Sequence, residues 1–517
     1  MVGLGILCVV GFFSVSCLGR DCVEPYETAK KVEAHTKVDR ALFEAWQKQG
    51  LPVPYVAADT VYVRRVYLSL AGRLPSDAEA KAFFADQSAD KYEKLVDTLL
   101  ASENYVDYWS LKWCDALRVK SEFPINLWPN AVYVYHYRVC SFLKNNEPYD
   151  QFVRALLTAS GSNFRVAEVN FYRAISEREP LPTAAAVAQT FMGIDFERLD
   201  PKAQTNMAAF FQNVTIAKTQ EWKEEIVYWK PGDVAQKLIF PNGTSKTAKA
   251  GEDYRALFAD YLTAGKCPYF AKAAVNRVWY WLFYQSFYEN PDDIHTPCLN
   301  EKVIDLLAEE FVASGYNFKS LVRAVANTAV MRASAIAMDT ARSELALKHA
   351  AIYPLHRMDA EVVEDSIRDL TGTTFEYSSV IPEPFTFIPN QSRTVTLADG
   401  SISSQFLILF GRPARDSGLL QERNNHLNEK QLLYFYNSGD IYRRIGSIFQ
   451  ASDVRNLPPR EKLEYIYWKF FARPPTDGEV KAFFAEYESI RDKRLKWRAF
   501  LDLCWSLLSS KEFLLVS

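Results

Sequence analysis

Arg73-Leu-Pro-Ser-Asp-Ala-Glu-Ala-Lys-Ala-Phe-Phe84 returns 400 positions later as Arg473-Pro-Pro-Thr-Asp-Gly-Glu-Val-Lys-Ala-Phe-Phe484. Ser76 and Thr476 stand where a helix N-cap belongs, and Glu79 and Glu479 follow at capping-box spacing. Each copy leads to a related ending, Leu99-Leu-Ala-Ser-Glu-Asn-Tyr105 in the first and Leu507-Leu-Ser-Ser-Lys-Glu-Phe513 in the second. The chain therefore opens and closes with one kind of helical unit. Each unit is too short to bury its apolar face alone, so the two are expected to pack near one another.

Outward from the first copy the pattern stays helical. Val61, Val63, Val66, Leu68 and Leu70 follow Asp59, and Gly72 and Pro75 break the run. Leu95, Val96, Leu99 and Leu100 recur at i, i+3, i+4 spacing. Val132 to Tyr137 alternates like a strand but runs on through Val139, Phe142 and Leu143, which favours a helix begun near Pro129. Residues 36–215 read as one helical domain and residues 250–517 as a second. Short strands are expected near 235–245. Arg357 to Leu370 reads as an amphipathic helix, with Arg357 and Glu361 paired at i, i+4 and Gly372 as its C-cap. Residues 375–410 break character, and Asp399-Gly400 looks like a hairpin turn within a small β insertion. The fold class is mainly α and multi-helical.

The 517 residues are 49% hydrophobic and 24% charged, an ordinary globular balance. A net charge of -3 offers no concentrated basic surface, so nucleic acid is not an expected partner. Aromatic residues make up 14%, which fits a core of large side chains or surfaces that stack on sugars. Residues 1–19 read as an export signal. Residues 2–16 are apolar and too short to span a bilayer. Ser14-Val15-Ser16 suits ordinary signal peptidase, and Ser16-Cys17-Leu18 suits lipoprotein processing with Cys17 lipidated. Either route takes the chain to the periplasm or cell surface, with membrane contact only through that lipid anchor. Beyond Cys8 and Cys17, the cysteines are Cys22, Cys114, Cys140, Cys267, Cys298 and Cys504. None lies in a C-x-x-C, so zinc-ribbon spacing and haem attachment are both unsupported.

Several blocks resemble a known family. Arg64-Arg-Val-Tyr-Leu-Ser-Leu-Ala-Gly-Arg-Leu-Pro75 resembles the first of two domains that occur together in planctomycete-type secreted proteins, the PSCyt-two and PSD-one pair. Pro268-Tyr-Phe-Ala-Lys-Ala-Ala-Val-Asn-Arg-Val-Trp279 and Glu289-Asn-Pro-Asp-Asp293 resemble the second. So do Arg357-Met-Asp-Ala-Glu361, Gly411-Arg-Pro-Ala-Arg-Asp416 with Glu422-Arg423, and Ser509-Ser-Lys-Glu-Phe513. The resemblance implies association with cytochrome c modules and with polysaccharide-degrading systems. It implies no known reaction. Many relatives carry Cys-x-x-Cys-His after the stretch matching Phe191-Met-Gly193. Here Ile194-Asp-Phe-Glu-Arg-Leu-Asp-Pro-Lys-Ala203 stands in that place, so no haem or other cofactor is expected.

Two polar clusters are the candidate sites. Asn276 and Arg277 precede Trp279 and Trp281, and Asp292, Asp293 and His295 follow in a loop. The carboxylates and imidazole are the right donors for a divalent ion. Asp residues equally cap the first turn of a helix, and no metal is assigned. Arg277 suits a substrate carboxylate or sulfate, or a buried Asp such as Asp293. Arg412, Arg415, Asp416, Glu422 and Arg423 form the second cluster, either an anion site or an internal salt-bridge network. No catalytic motif is present, and the catalytic residues stay unassigned. The expected function is a haem-free, exported binding or scaffold protein working beside polysaccharide-processing enzymes, with glycans or cell-envelope proteins as partners. The alternative is a hydrolase or lyase acting on glycans, sulfated or not, through an unrecognised active site.

Overall fold

The computed structural model describes residues 20–450, 452–492 and 495–517. The apolar N-terminal segment and Cys17 lie outside the described residues. The protein is mainly α, 54% helical with 9% strand in small sheets.

The two repeat units share their local geometry. Helix Asp59–Ala71 ends in a left-handed residue, Gly72, and helix Pro459–Phe471 ends likewise in Ala472. A side chain at position 72 would meet the Tyr108 ring at 2.6 Å, so glycine is required there. Helix Asp77–Ala85 is capped by Ser76, whose hydroxyl accepts from the Glu79 amide at 3.3 Å while Glu79 accepts from the Ser76 amide at 2.8 Å. Thr476 and Glu479 repeat this ahead of helix Asp477–Ser489, at 3.3 and 2.7 Å. Each Glu also clamps the Arg three residues before the cap, Arg73 at 2.6 Å and Arg473 at 2.9 Å. Ser102 and Ser510 then cap helices Glu103–Ala116 and Lys511–Leu514. The residues three beyond those caps, Tyr105 and Phe513, are fully buried.

The units meet, as their unpaired apolar faces require. Phe83 and Phe483 are both buried. Arg64 donates to the carbonyls of Phe513 and Leu515 at 2.5 and 2.8 Å, and Arg65 to that of Ser517 at 2.7 Å. Strand Leu515–Val516 pairs with His356–Arg357. Helix Tyr269–Phe283 packs against the first unit. Its Trp281 packs edge-on against Trp109 and Trp113, at 5.9 and 5.3 Å between ring centres. Both halves of the chain thus share one apolar core.

Strand structure is local. Glu225–Trp229 sits between Gly161–Ser162 and Val214–Lys218, and Gln236–Ile239 pairs with Ser245–Ala248 near the expected position. Tyr288–Asn290 and Asp293–Cys298 form a hairpin. The six cysteines from Cys22 onward are unpaired.

Residues 375–410 differ from the β insertion expected there. Their β pairing is one isolated bridge, Ser378 to Ser403. Asp399-Gly400 turns no hairpin. The Asp399 carboxylate accepts from the Ser121 and Ser401 amides at 3.0 and 2.9 Å. The Arg415 side chain covers Gly400 so closely that a Cβ there would lie 2.7 Å from it. Turn chemistry that would suit a hairpin is taken up by tertiary partners.

Candidate functional site

The first cluster does not converge. Asn276 and Arg277 are buried on helix Tyr269–Phe283. The Asn276 side chain donates to the Pro291 carbonyl at 3.0 Å and accepts from Ser286 and Phe287, so it pins the loop between helix and hairpin. Arg277 bonds the Thr190 carbonyl at 2.6 Å and lies 5.6 Å from the Trp113 ring. It does not pair with Asp293. Burial lowers its pKa, and Tyr149 and Asp292 oppose that fall. Asp292 and Asp293 lie at the turn of a β hairpin, not in the first turn of a helix; the helix that follows is capped by Asn300 instead. Asp292 accepts from the Leu420 and Gln421 amides, at 2.8 and 3.3 Å. Its pKa is raised by burial, which those amides counter. Asp293 faces the opposite way and accepts from Arg198 at 3.3 Å and from the His295 amide at 3.1 Å. Arg198 belongs to the segment 194–203, so that segment is docked onto the hairpin. The His295 ring stacks edge-on to Tyr269 and opens on a groove of about 390 Å³ lined by Lys272, Tyr288 and Glu301. Among the described residues, no three His, Cys, Asp or Glu side chains gather as a metal site.

The second cluster does converge, through Glu361 and Asp115, carboxylates far from it along the chain. Helix Ala360–Thr371 places Glu361 at its start and Asp359 just before it. Glu361 accepts from Arg412 at 3.1 Å and from Arg423 at 2.6 Å. Arg423 reaches on to Asp115 of helix Glu103–Ala116 at 2.7 Å, and Arg415 meets the other oxygen of Asp115 at 2.8 Å. Further guanidinium nitrogens tie down the surrounding chain: Arg412 bonds the Ile402 and Asp399 carbonyls, and Arg415 those of Val119 and Ala398. Asp416 stays at the edge, paired with Lys120 at 2.6 Å. Glu422 sits in a nest of amides from Asp416, Ser417 and Gly418. The Arg357–Glu361 pair does not form. Arg357 precedes the helix and donates to the carbonyls of Met358, Asn424 and Phe410.

Beside this network lies a constellation absent from the sequence reading. Asp359 is fully buried and accepts four hydrogen bonds. Tyr108 and Lys112 donate to one oxygen at 2.6 and 3.0 Å, and Tyr284 and Asn425 (2.6 Å) to the other. Burial works to raise its pKa, but Lys112, Arg423 and the two tyrosines hold it well below the carboxylate range. Burial lowers the Lys112 pKa, against the pull of Asp359. His356 packs on Tyr284 at 4.5 Å, and burial lowers its pKa to about 4. Two cavities of about 10 and 20 Å³ flank Tyr284, each near the size of one water. The Arg-Met-Asp-Ala-Glu block contains Asp359, but its partners lie some 66 to 251 residues away. No local periodicity announces such pairs.

Chemically, Asp115, Asp359 and Glu361 are each matched by buried cations. Charges so matched are costly to break singly, because the survivor is stranded in a low-dielectric core. The network fastens the loop 398–423 to helices Glu103–Ala116 and Ala360–Thr371.

Two family descriptions match the chain. Residues 37–217 match PSCyt2, a protein of unknown function (DUF1549), and residues 254–487 match PSD1, a protein of unknown function (DUF1553). The chain belongs to the family that carries these two domains in tandem. No curated protein and no solved structure matches it.

Proposed function

We propose that this protein is an exported, haem-free binding or scaffold protein that works beside polysaccharide-processing enzymes. The observation that carries the reading is that the candidate polar clusters are spent on partners inside the protein. Asn276, Arg277, Asp292, Asp359, Glu361 and Arg423 are buried with hydrogen-bonding partners, as expected of groups that hold a shape. The N-terminal apolar segment supports export, and the segment 194–203, without Cys or His, supports the lack of haem. No helix of the described residues is long and apolar enough to cross a membrane. That fits attachment by a lipid or by partner proteins.

The test is a glycan and sulfated-glycan array with the purified protein, read for both retention and released product. Retention without product is the expected result. Product release would replace this reading with a hydrolase or lyase, and the groove beside His295 would then be its first candidate site. The absence of both glycan binding and binding to cell-envelope proteins would overturn the reading.

A further inference from the structure

The surface around Trp128 gathers large aromatic side chains that face water. Trp222 is 70% exposed, Phe385 53% and Phe387 66%. They come from three distant parts of the chain. The Trp128 ring lies 6.3 Å from Trp222, nearly perpendicular, and 5.9 Å from Phe385. The Tyr133 hydroxyl donates to the Phe387 carbonyl at 3.1 Å and so ties the loop 380–392 to helix Pro129–Asn145. Lys223 holds its ammonium 4.7 Å from the Trp128 ring and 5.5 Å from Trp222. No ion pair of Lys223 is found among the described residues. Large aromatic side chains gathered and exposed in this way mark an interaction site.

Its backbone is held in conformations that L-residues avoid. Asn126, Trp128 and Lys223 all have positive φ, at 63°, 74° and 61°. Such strain persists only where the surroundings enforce it, which is characteristic of ligand-contacting positions. Here the enforcement comes from below. Buried Arg173 donates to the Leu127 carbonyl, and Asn163 to the Lys223 carbonyl, both at 3.2 Å. Arg173 is itself fixed by Glu225 at 2.7 Å. The two strained turns thus rest on one buried polar support.

We propose that the face built by Trp128, Trp222, Lys223, Phe385 and Phe387 binds an anionic polysaccharide. A pyranose ring presents C–H groups from one face and hydroxyls from its rim. An exposed indole accepts the first and leaves the second in water. Lys223, seated between two indoles with no carboxylate of its own, meets a sulfate or carboxylate carried on the sugar. An apolar protein partner would leave that ammonium buried and unpaired. Tyr133 and Tyr137 continue the exposed aromatic line along helix Pro129–Asn145, which suits an extended chain. This inference rests on the binding reading above and adds the place and charge of the ligand.

The experiment is affinity electrophoresis of the full protein in gels containing dextran sulfate, polygalacturonate or unsulfated dextran. The wild type is expected to be retarded by at least one anionic polymer, less so in high salt. Trp222→Ala combined with Phe385→Ala should weaken that binding at least tenfold with an unchanged melting curve. Lys223→Gln should weaken the anionic polymer more than dextran. Trp497→Ala, an exposed tryptophan elsewhere, should change nothing. Equal retardation of wild type and the double variant overturns this site while leaving the binding reading intact. No retardation by either anionic polymer overturns the inference itself, and the array decides separately whether the broader reading survives. Binding only to anionic lipid vesicles would overturn it in favour of a membrane-facing surface.

Discussion

The ring of Phe84, in the first repeat unit, lies 5.7 Å from the ring of Trp468 in the second. Lys81 adds its ammonium 5.1 Å from the same indole. One contact therefore joins segments almost four hundred residues apart, and it closes the faces that each short unit leaves open. Its energy can be isolated. A double-mutant cycle with Phe84→Ala and Trp468→Ala should give a coupling of about 0.5–1.5 kcal/mol, as for other aromatic pairs. Strict additivity would mean that the units are held together elsewhere.

The caps make a matched pair of tests. Ser76→Ala and Thr476→Ala should each cost about 1 kcal/mol, since each leaves a first-turn amide without its acceptor. Chemical denaturation of the two single variants and the double variant checks this. A large effect at one cap and none at the other would show that the repeat is geometric but not energetic.

Two buried arginines should respond differently to the same change. Arg423→Met leaves Glu361 with Arg412 alone and Asp115 with Arg415 alone, two buried carboxylates each short of a cation, so a loss of about 3–5 kcal/mol is expected. Arg277→Met leaves carbonyl acceptors but no paired carboxylate, so about 1–3 kcal/mol is expected. Unfolding midpoints in urea give the order. If Arg277→Met proves the more damaging, the hydrogen bond to Thr190 carries more of the fold than its geometry implies.

Glu364 gives a pH signature. Burial pushes its pKa up to about 8, with hydrogen bonding from Thr394 opposing and the neighbouring Asp365 adding to the rise. Asp365 is itself pushed up to about 6 by burial, against Arg393 and two backbone amides. Arg412, Glu361 and Tyr377 also face Glu364. A carboxyl whose folded pKa exceeds its unfolded one holds a proton that unfolding releases. Its stabilising share is full below the unfolded value near 4.5 and is lost as pH rises towards 8. The melting temperature should therefore fall between pH 5 and 8.5 by more in the wild type than in Glu364→Gln. Parallel pH profiles would refute the assignment.

The repeat could be read directly because its determinants are local. A cap, an acid three residues on and a pair of phenylalanines fix a helix start within one turn. Gly72 announced the left-handed helix end, whereas Ala472 adopts the same conformation with no signal in its side chain. Arg357 and Glu361 had the right spacing for a helical pair, but the helix begins after Arg357. Glu361 is claimed by two arginines more than fifty residues away. Asp399-Gly400 suited a hairpin, and the Ser121 amide and Arg415 side chain took its place. In the candidate sites, the residue types were legible and their partners were not. Lys112, Tyr108 and Tyr284 meet Asp359 only once three helices have packed.

The bonds from Arg64 and Arg65 to residues 513–517 also set an order of events in time. The two guanidiniums are made early, and their carbonyl acceptors follow about 450 residues later. At about 5–20 residues per second, a ribosome needs roughly 20–90 s to supply them. For that interval Arg64 lacks both carbonyls that it meets in the fold, Arg65 has only those of Met331 and Ala333 once these are made, and the apolar edge shared with the second unit lies open. Residues 513–517 are thus the latch of the first unit, and a chain stopped short of them would keep that unit open.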